Sequence, residues 1–513
     1  MIDNKIVVKT KYVFIALLFI IIFFYIFNSF YLNEYEILFI DEKLIIDDIY
    51  NIWLIDDVFG RYDNVNNNFL KSILIIFTEL SYGGDLRYGR LWSNYFTIST
   101  GLFSLVSDKV LITSVRILNT LTIFLGSYFI VKNNVKRNYL WLALFSIYSL
   151  PGISYLNLIP KPESLSILFL GIGFYFFQKN NIFKSIFCFS IATFLKINTL
   201  IFFIIFGILI FFKLKENKLK FLIKSILTTF TALIIVNPIL ILPPIKIGSI
   251  ELPNFYNIYF QWLSSQSTYG DDLALNITTF KIWLKSLSQF YFINSNSIEN
   301  IFSFLFFLLL LFVILKSLKS KDPYNIVLVI SVLSYLFFYM FFVERQFIWY
   351  LTFPLILLII VFLRNLENID NLLIRNASLF MFIVFSAVGN ISNLNDFNNQ
   401  KIFTANSSYG YENINKPEDA INQINEIHKI IENIYVDNEQ LNNSLVYWHP
   451  NLYYPRNKVT YENTYFVRDY WGSKDNPLSA LENADIFVTY TIYENINGLE
   501  VRNFENIYIY YSK

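Results

Sequence analysis

The feature that most constrains this chain is its series of continuous apolar runs, each long enough to cross a bilayer as a helix. A hydrocarbon core of about 30 Å requires about 20 apolar residues in helical conformation. Only helices and closed barrels pair all their backbone groups in lipid, and these runs lack the period-two alternation of a barrel. The sequence therefore predicts a polytopic α-helical membrane protein with about 11 transmembrane helices. The runs lie at 12–32, 109–131, 139–157, 163–177, 182–195, 197–212, 222–242, 299–315, 324–342, 347–363 and 375–390.

Positive charge is concentrated in alternate short loops. Lysines precede the first run, and basic segments lie at 132–138, 178–184, 213–220 and 316–321. Cytoplasmic loops of membrane proteins carry such an excess of Lys and Arg. We therefore predict a multi-pass protein of the cytoplasmic (inner) membrane, with its N-terminus in the cytoplasm and the remaining loops outside.

The predicted outside segments are the long ones. They are the loops 33–108 and 243–298 and the polar part of the chain after residue 390. In that last part a helical pattern precedes the β-like runs SLVYW, ADIFVTY and NIYIYY, which is typical of a small α/β domain. We predict a transmembrane domain over 1–390 that carries both loops, and a soluble extracytoplasmic α/β domain over 391–513.

Composition excludes several functional classes. The net charge of +1 gives no support to a nucleic acid partner. A single cysteine, Cys188, allows neither a disulfide framework nor a CxxC metal site, and two histidines cannot build a histidine-rich metal centre. The sequence has no Walker loop, dinucleotide fingerprint or HExxH motif, so a soluble nucleotide donor is not indicated.

The stretch FIDEKLIIDDIYNIWLIDD (39–57) carries three acidic pairs directly after the first run. Its apolar residues recur at helical spacing, which predicts an amphipathic helix at the membrane interface. Asp41 and Asp48 are seven residues apart and therefore share one face of that helix. Two interpretations remain open: the carboxylates are the solvated face of an interfacial helix, or one pair belongs to a catalytic site.

Cations and further carboxylates collect at the same predicted outer face. Arg87 and Arg90 lie in a glycine-bearing stretch, where their guanidinium groups suit either a bound phosphate or lipid phosphate at the interface. Arg116 lies in the second run, where a charge indicates a pathway or an anionic ligand. The other candidates at this face are Lys161, Glu163, Lys196, Asp271, Asp272, Arg345 and Tyr350.

Taken in order along the chain, these segments resemble the GT-C superfamily of integral-membrane glycosyltransferases. The similarity is to the glycosyltransferase family 39 type, which includes protein O-mannosyltransferases and lipid A aminoarabinose transferase. It is carried by Asp41 and Glu42 after the first span, YGRLW (88–92), LFSLVSDKVLITSVRIL (102–118), KPESL (161–165), FLKINTL (194–200) and RQFIWYLTFP (345–354).

The resemblance implies an inverting glycosyltransferase. Such an enzyme moves a sugar from a polyprenyl-phosphate donor to a lipid, glycan or protein acceptor at the outer face of the membrane. It implies Asp41 as the catalytic base, with Asp48 in reserve, and Glu42 orienting the acceptor or a cation. If a divalent cation takes part, Mg²⁺ or Mn²⁺ would be held by the oxygens of Asp41 and Glu42.

The same resemblance divides the remaining polar residues between the two substrates. The residues assigned to the donor phosphate are Arg345, Lys196, Arg116, Arg87, Arg90 and Lys161. The candidates for the acceptor or the second loop are Asp271, Asp272, Glu163 and Tyr350.

Three other classes remain as alternatives. A flippase for lipid-linked glycans would also have many spans, but with repeat symmetry and short loops. A glycan ligase usually relies on arginines in a large late loop, whereas the loop 243–298 contains no arginine. A non-enzymatic envelope assembly protein would use the C-terminal part as a binding module.

Overall fold

A computed structural model describes most of the membrane-spanning part of the chain and parts of its C-terminal segment. The described residues are 4–31, 40–55, 68–82, 90–196, 199–213, 218–238, 245–247, 250–252, 308, 311, 323–342, 348–366, 369, 371–398, 417–438, 441, 445–448, 466–469, 481–482, 484–489, 498–504 and 507–512.

Helices dominate these residues. In chain order they are α1 (Asn4–Tyr31), α2 (Ile40–Ile49), α3 (Asn68–Tyr82), α4 (Arg90–Thr100), α5 (Asp108–Asn134), α6 (Leu140–Tyr148), α7 (Pro151–Leu158), α8 (Pro162–Gln178), α9 (Ile182–Leu195), α10 (Leu200–Lys213), α11 (Lys218–Val236), α12 (Pro323–Phe342), α13 (Thr352–Asn365), α14 (Leu372–Asn398) and α15 (Pro417–Asp437). A π-helical turn (Tyr50–Leu54) continues α2, and 3₁₀ turns lie at Gly101–Leu105, Arg137–Tyr139 and Ile348–Leu351.

Four helices of the described part are long and apolar enough to cross a membrane. They are Lys11–Ser29 of α1, Asp108–Asn134 of α5, Lys218–Val236 of α11 and Leu372–Asn395 of α14. The pair formed by α6 with its preceding 3₁₀ turn and α7 is bent by 76° and would add a fifth span if it counts as one. Shorter apolar helices lie at Phe69–Thr78, Ile182–Leu195, Leu200–Phe212, Pro323–Phe338 and Thr352–Asn365.

The predicted class, a helical membrane protein, agrees with these helices. Ten of the predicted apolar runs overlap a helix of the structure, while of the run 299–315 only residues 308 and 311 are described. Several of the helices are shorter than a full span. The figure of about 11 transmembrane helices therefore stays a prediction.

Close contact between α5 and α8 organises the centre of the bundle. A Cβ atom on Gly126 would lie 2.7 Å from the backbone nitrogen of Leu168, and one on Gly171 would lie 2.5 Å from the carbonyl oxygen of Gly126. Small residues at such crossings allow two membrane helices to approach each other closely. On the other side of α8, the ring of Phe174 meets Phe189 and Phe202 at centroid distances of 5.2 and 5.3 Å.

The bend between α6 and α7 is stabilised by polar side chains of α14. Pro151 begins α7 and interrupts the backbone hydrogen bonding of the pair. The amide of Asn390 donates to the carbonyl oxygen of Phe145 at 3.0 Å, and that of Asn393 donates to that of Ser149 at 2.7 Å. These bonds satisfy carbonyl groups that a break would otherwise leave unpaired in an apolar environment.

The first long loop contains α2, α3 and α4, and α2 and α4 pack on the beginning of α5. Ile45 and Ile49 of α2 are fully buried with Trp92 of α4 and Val115 of α5 in one apolar cluster. The indole nitrogen of Trp53 donates to the carbonyl oxygen of Thr97 at 2.9 Å. This loop is therefore a folded layer of helices against the membrane domain.

The C-terminal part combines α15 with a five-stranded mixed sheet. Its strands are β3 (Leu445–Trp448), β4 (Phe466–Asp469), β5 (Ile486–Thr489), β6 (Leu499–Phe504) and β7 (Ile507–Ser512), in the order β4-β3-β5-β7-β6. The pairs β4–β3 and β3–β5 are parallel, whereas β5–β7 and β7–β6 are antiparallel. A separate hairpin of β1 (Ile245–Ile247) and β2 (Ile250–Leu252) lies in the second long loop.

The predicted helix and the three predicted strands of this part are present as α15, β3, β5 and β7. Burial lowers the pKa of His428 on α15 to about 4, so this histidine is neutral at physiological pH. The existence of a separate extracytoplasmic domain over 391–513 stays a prediction.

Candidate functional site

A buried ion pair joins α2 to α5. The Nε of Arg116 donates to Oε1 of Glu42 at 2.7 Å and its Nη2 donates to Oε2 at 3.0 Å. Both side chains are 0% exposed. This bidentate geometry is the strongest form of guanidinium–carboxylate contact. It fixes the first turn of α2 to α5, a helix long and apolar enough to cross a membrane.

A second buried pair joins α2 to α4. Arg90 Nη1 donates to Oδ2 of Asp48 at 2.8 Å, and the hydroxyl of Ser93 donates to the same oxygen. Nη2 of Arg90 donates to Oδ1 of Asn94 at 3.0 Å, and the amide of Asn94 donates to the carbonyl oxygen of Leu80 at 3.0 Å. These bonds connect α2 through α4 to α3.

Three carboxylates of α2 lie away from solvent. Glu42, Asp47 and Asp48 are all buried, at 0–1% exposure. Arg90 of α4 and Arg116 of α5 pair with two of them, Asp48 and Glu42. The predicted helix is present, and for these three side chains the interpretation as a solvated face does not hold.

The end of α2 adopts an unusual backbone conformation. The π-helical turn that follows α2 ends at Ile55, which has φ 54° and ψ 38°. A β-branched residue in this left-handed region costs about 1–3 kcal/mol and persists only where surrounding contacts impose it. The backbone N–H of Ile55 donates to the carbonyl oxygen of Tyr50, and the hydroxyl of Tyr50 donates to Asp108 at the start of α5.

A third ion pair lies in a small cavity between α8 and α9. The Nζ of Lys196, the residue after α9, lies 2.8 Å from Oε1 of Glu163 in the first turn of α8. The same Nζ lies 5.3 Å from the ring centroid of Tyr350. The cavity measures about 20 Å³, and Ser166, Thr199, Thr352 and three apolar side chains complete its lining.

The structure thus brings together residues that the sequence placed far apart. Glu163, Lys196 and Tyr350 meet at one cavity, while Arg116 and Arg90 are occupied by Glu42 and Asp48. Lys161 is buried at the N-terminal boundary of α8. The candidates Arg87, Asp271, Asp272 and Arg345 lie outside the described residues, and for Asp41 only the backbone, in α2, is described.

Of the two residues predicted to hold a divalent cation, Asp41 and Glu42, the structure describes only the side chain of Glu42. Both oxygens of Glu42 accept hydrogen bonds from Arg116, which already neutralises the carboxylate. Among the residues that the structure describes, no three His, Cys, Asp or Glu side chains form a metal-binding group.

Among the polar residues of these ion pairs and of the cavity, five were not predicted as candidates: Ser93, Asn94, Ser166, Thr199 and Thr352. For two of them a signal exists, since Ser93 and Asn94 follow Arg90 at i+3 and i+4 on one helix and therefore lie beside it. Thr352 begins α13 within an apolar stretch, and no local pattern distinguishes it.

Comparison with known proteins gives no relative. No protein-family model, curated protein or solved structure matches this chain. The function must therefore be argued from the chemistry of the ion pairs and the cavity, together with the resemblance of the sequence segments.

Proposed function

We propose that this protein is an inverting membrane glycosyltransferase that moves a sugar from a polyprenyl-phosphate donor to a hydroxyl acceptor outside the cytoplasmic membrane. The observation that supports this most directly is the buried Glu42–Arg116 pair. It holds the first turn of α2, which includes Asp41, against a membrane-crossing helix. A catalytic carboxylate in a membrane enzyme needs such a fixed position at the boundary where a lipid-linked donor and a polar acceptor meet.

In this proposal Asp41 is the general base. A carboxylate near its reference pKa of about 4 is ionised at neutral pH and can accept the proton of an acceptor hydroxyl. The hydroxyl oxygen then attacks the anomeric carbon from the side opposite the phosphate. The bond between that carbon and the phosphate oxygen breaks, its electron pair leaves with the polyprenyl phosphate, and the configuration inverts.

The buried pairs change the roles of several candidates. Glu42 is a positioning residue, because Arg116 occupies both of its oxygens. Arg116 and Arg90 hold α2 through Glu42 and Asp48. The leaving phosphate is therefore assigned to Lys196, which lies beside the Tyr350 ring where little water has access.

The complete proposal includes the predicted topology. The chain crosses the membrane about 11 times, its N-terminus is cytoplasmic, and residues 391–513 form an extracytoplasmic domain. The segments 33–108 and 243–298 lie on the same side as that domain, and Arg345, Arg87 and Lys161 remain proposed contacts of the donor phosphate. The acceptor is a lipid, a glycan or a protein.

The test is sugar transfer in membranes that contain the full-length protein. Asp41→Asn keeps the size of the side chain but removes the base, so we expect the transfer rate to fall about 100-fold or more. Membranes with radiolabelled polyprenyl-phosphate sugars provide the measurement, and immunoblotting of the same membranes verifies equal expression. The matched control is Asp437→Asn on the exposed surface of α15, which should leave transfer unchanged.

Two results would contradict the proposal in different ways. A fully active Asp41→Asn protein would remove Asp41 as the base. Absence of transfer from every donor would favour a flippase, for which the 76° bend between α6 and α7 offers the broken helix that transporters often use.

A further inference from the structure

We propose that Glu163 occupies the place of the donor phosphate on Lys196 when no ligand is bound, and that the phosphate binds by displacing this carboxylate. The inference rests on the proposed function, because it takes Lys196 as the residue that meets the phosphate. It adds a competing anion within the protein, which regulates both entry of the donor and release of the polyprenyl-phosphate product.

Each member of the Glu163–Lys196 pair lies at a helix end that favours its charge. Lys196 follows the last turn of α9, where the helix dipole favours a cation, and Glu163 lies in the first turn of α8, where it favours an anion. The carboxylate oxygen and the ammonium nitrogen are 2.8 Å apart, and the two side chains are 9% and 11% exposed. A phosphate that replaced the carboxylate would meet the same ammonium group and the same helix N-terminus.

Two buried oxygens in the cavity are not satisfied by the described protein. Oε2 of Glu163 and Oγ1 of Thr352 have no hydrogen-bond partner among the described residues, although both residues are more than nine-tenths buried. Both residues line the cavity. Buried polar atoms are normally paired, so such groups indicate a missing partner. The Thr352 hydroxyl could donate to a phosphate oxygen, whereas Oε2 of Glu163 could not.

The size of the cavity requires an exchange. A volume of about 20 Å³ holds one water molecule but not a phosphate group. The phosphate can therefore reach Lys196 only when the Glu163 side chain moves out of the cavity. Besides the charged and polar groups, Ile167, Leu170 and Phe353 contribute apolar side chains to the lining of the cavity.

The consequence is a balance between two anions for one cation. With Glu163 present, the binding free energy of the phosphate is reduced by the free energy needed to separate the existing ion pair. After transfer, return of the carboxylate to Lys196 helps to displace the polyprenyl phosphate. Neutralising Glu163 should therefore tighten binding of both donor and product and slow release of the product.

The experiment measures binding to the full-length protein in nanodiscs, so that it does not depend on sugar transfer. The probe is polyprenyl monophosphate, and polyprenol, which has the same chain without the phosphate, is the matched ligand. We expect Glu163→Gln to bind polyprenyl monophosphate about tenfold more tightly than the parent protein, with no change for polyprenol. Lys196→Gln should bind the phosphate more weakly, and Glu432→Gln on exposed α15 is the matched control.

A second measurement covers the case in which Glu163→Gln folds poorly. Glu163→Asp keeps the charge but shortens the side chain, so the carboxylate should hold Lys196 less closely and the phosphate should still bind more tightly. Thermal unfolding should show a larger stabilisation by polyprenyl monophosphate for both variants than for the parent protein.

The outcomes separate this inference from the proposed function. If Lys196→Gln weakens phosphate binding but neither Glu163 variant tightens it, the exchange is wrong while the phosphate site is retained. If no variant changes phosphate binding, both the exchange and the phosphate site at Lys196 are wrong. If the Glu163 variants gain the same affinity for inorganic phosphate, the cavity is a site for free phosphate and the proposal of a lipid-linked ligand is wrong.

Discussion

At the residue scale, the Glu42–Arg116 pair is a contact between two charged groups that are costly to bury. Two charged side chains at 0% exposure have lost their hydration, and their bidentate contact compensates for part of that loss. Such a pair adds little net stability compared with two apolar residues of the same size, but removal of one partner leaves an uncompensated buried charge. The pair therefore fixes the position of α2 more than it stabilises the fold.

The cost of an uncompensated buried charge predicts that a variant lacking one partner of the pair is less stable than a variant lacking both. Arg116→Met alone should destabilise the purified protein by about 3–5 kcal/mol, because Glu42 remains buried without a counter-charge. The double variant Glu42→Leu/Arg116→Met should recover most of that loss. Thermal unfolding in detergent measures both, and the protein concentration and detergent are kept constant.

An exposed pair provides the comparison. Arg502 and Asp437 form an ion pair at 3.0 Å with side chains 37% and 57% exposed, and Asp437→Asn should cost less than about 1 kcal/mol. If Arg116→Met is as mild as Asp437→Asn, the Glu42–Arg116 pair is not buried in the native protein.

At the scale of elements, the crossing of α5 and α8 decides how the ion pairs are arranged. α5 carries Arg116 and α8 carries Glu163, so the distance between these helices also sets the distance between two charged sites. The crossing is closest at Gly126 and Gly171, where the backbones are in contact. Two elements that carry partners of these charges pack on this central pair: α2 shares a buried apolar cluster with α5, and α9 packs on α8.

The close contact at Gly171 predicts that two Gly→Val substitutions differ sharply in their effect on stability. Gly171→Val must separate α8 from the carbonyl of Gly126, which should destabilise the protein by about 3 kcal/mol and reduce any function of the cavity. Gly207→Val on α10 is the matched control, because a Cβ atom there meets nothing within 4 Å. Thermal unfolding and expression level in the membrane measure the difference, and equal stability of the two variants would contradict the crossing.

At the scale of the whole molecule, one apolar cluster includes parts of the first loop and of the C-terminal segment. Ile45 and Trp92 belong to it, and so do Ile427, Ile431 and Val446. Segments that share a buried cluster must lie on the same side of a membrane, since lipid would otherwise separate them. The predicted location of the C-terminal part outside the cytoplasm is thereby tied to the location of the first loop.

This link can be tested by labelling of single cysteines in intact cells. The only native cysteine is buried and is first replaced, as Cys188→Ser. Exposed positions are then tested one at a time as Ser99→Cys, Glu432→Cys and Asn138→Cys. We expect a membrane-impermeant maleimide to label the first two in intact cells and the third only after permeabilisation, because α5, which is long and apolar enough to cross a membrane, lies between residues 99 and 138. Opposite labelling of residues 99 and 432 would contradict the shared cluster.

Features that depend on near neighbours in the chain could be predicted from the sequence. Apolar runs predicted helices such as α1, α5 and α9, and alternating residues predicted β3, β5 and β7, because hydropathy and periodicity act over a few residues. Several buried charged residues, such as Glu42, Arg90 and Arg116, were candidates from the sequence, since a charge beside an apolar run is costly wherever it lies. The buried Asp485 was not a candidate.

Which charges meet depends on how the helices pack in three dimensions. Glu42 and Arg116 are 74 residues apart, and Asp48 and Arg90 are 42 apart, so no helical spacing connects them. From the sequence, the arginines were assigned to a phosphate and the carboxylates to the acceptor side of the reaction. In the structure, packing of α2 on α4 and α5 pairs Arg90 with Asp48 and Arg116 with Glu42. An ion pair depends on distances below about 4 Å, which are set by the packing of whole helices and not by any segment alone.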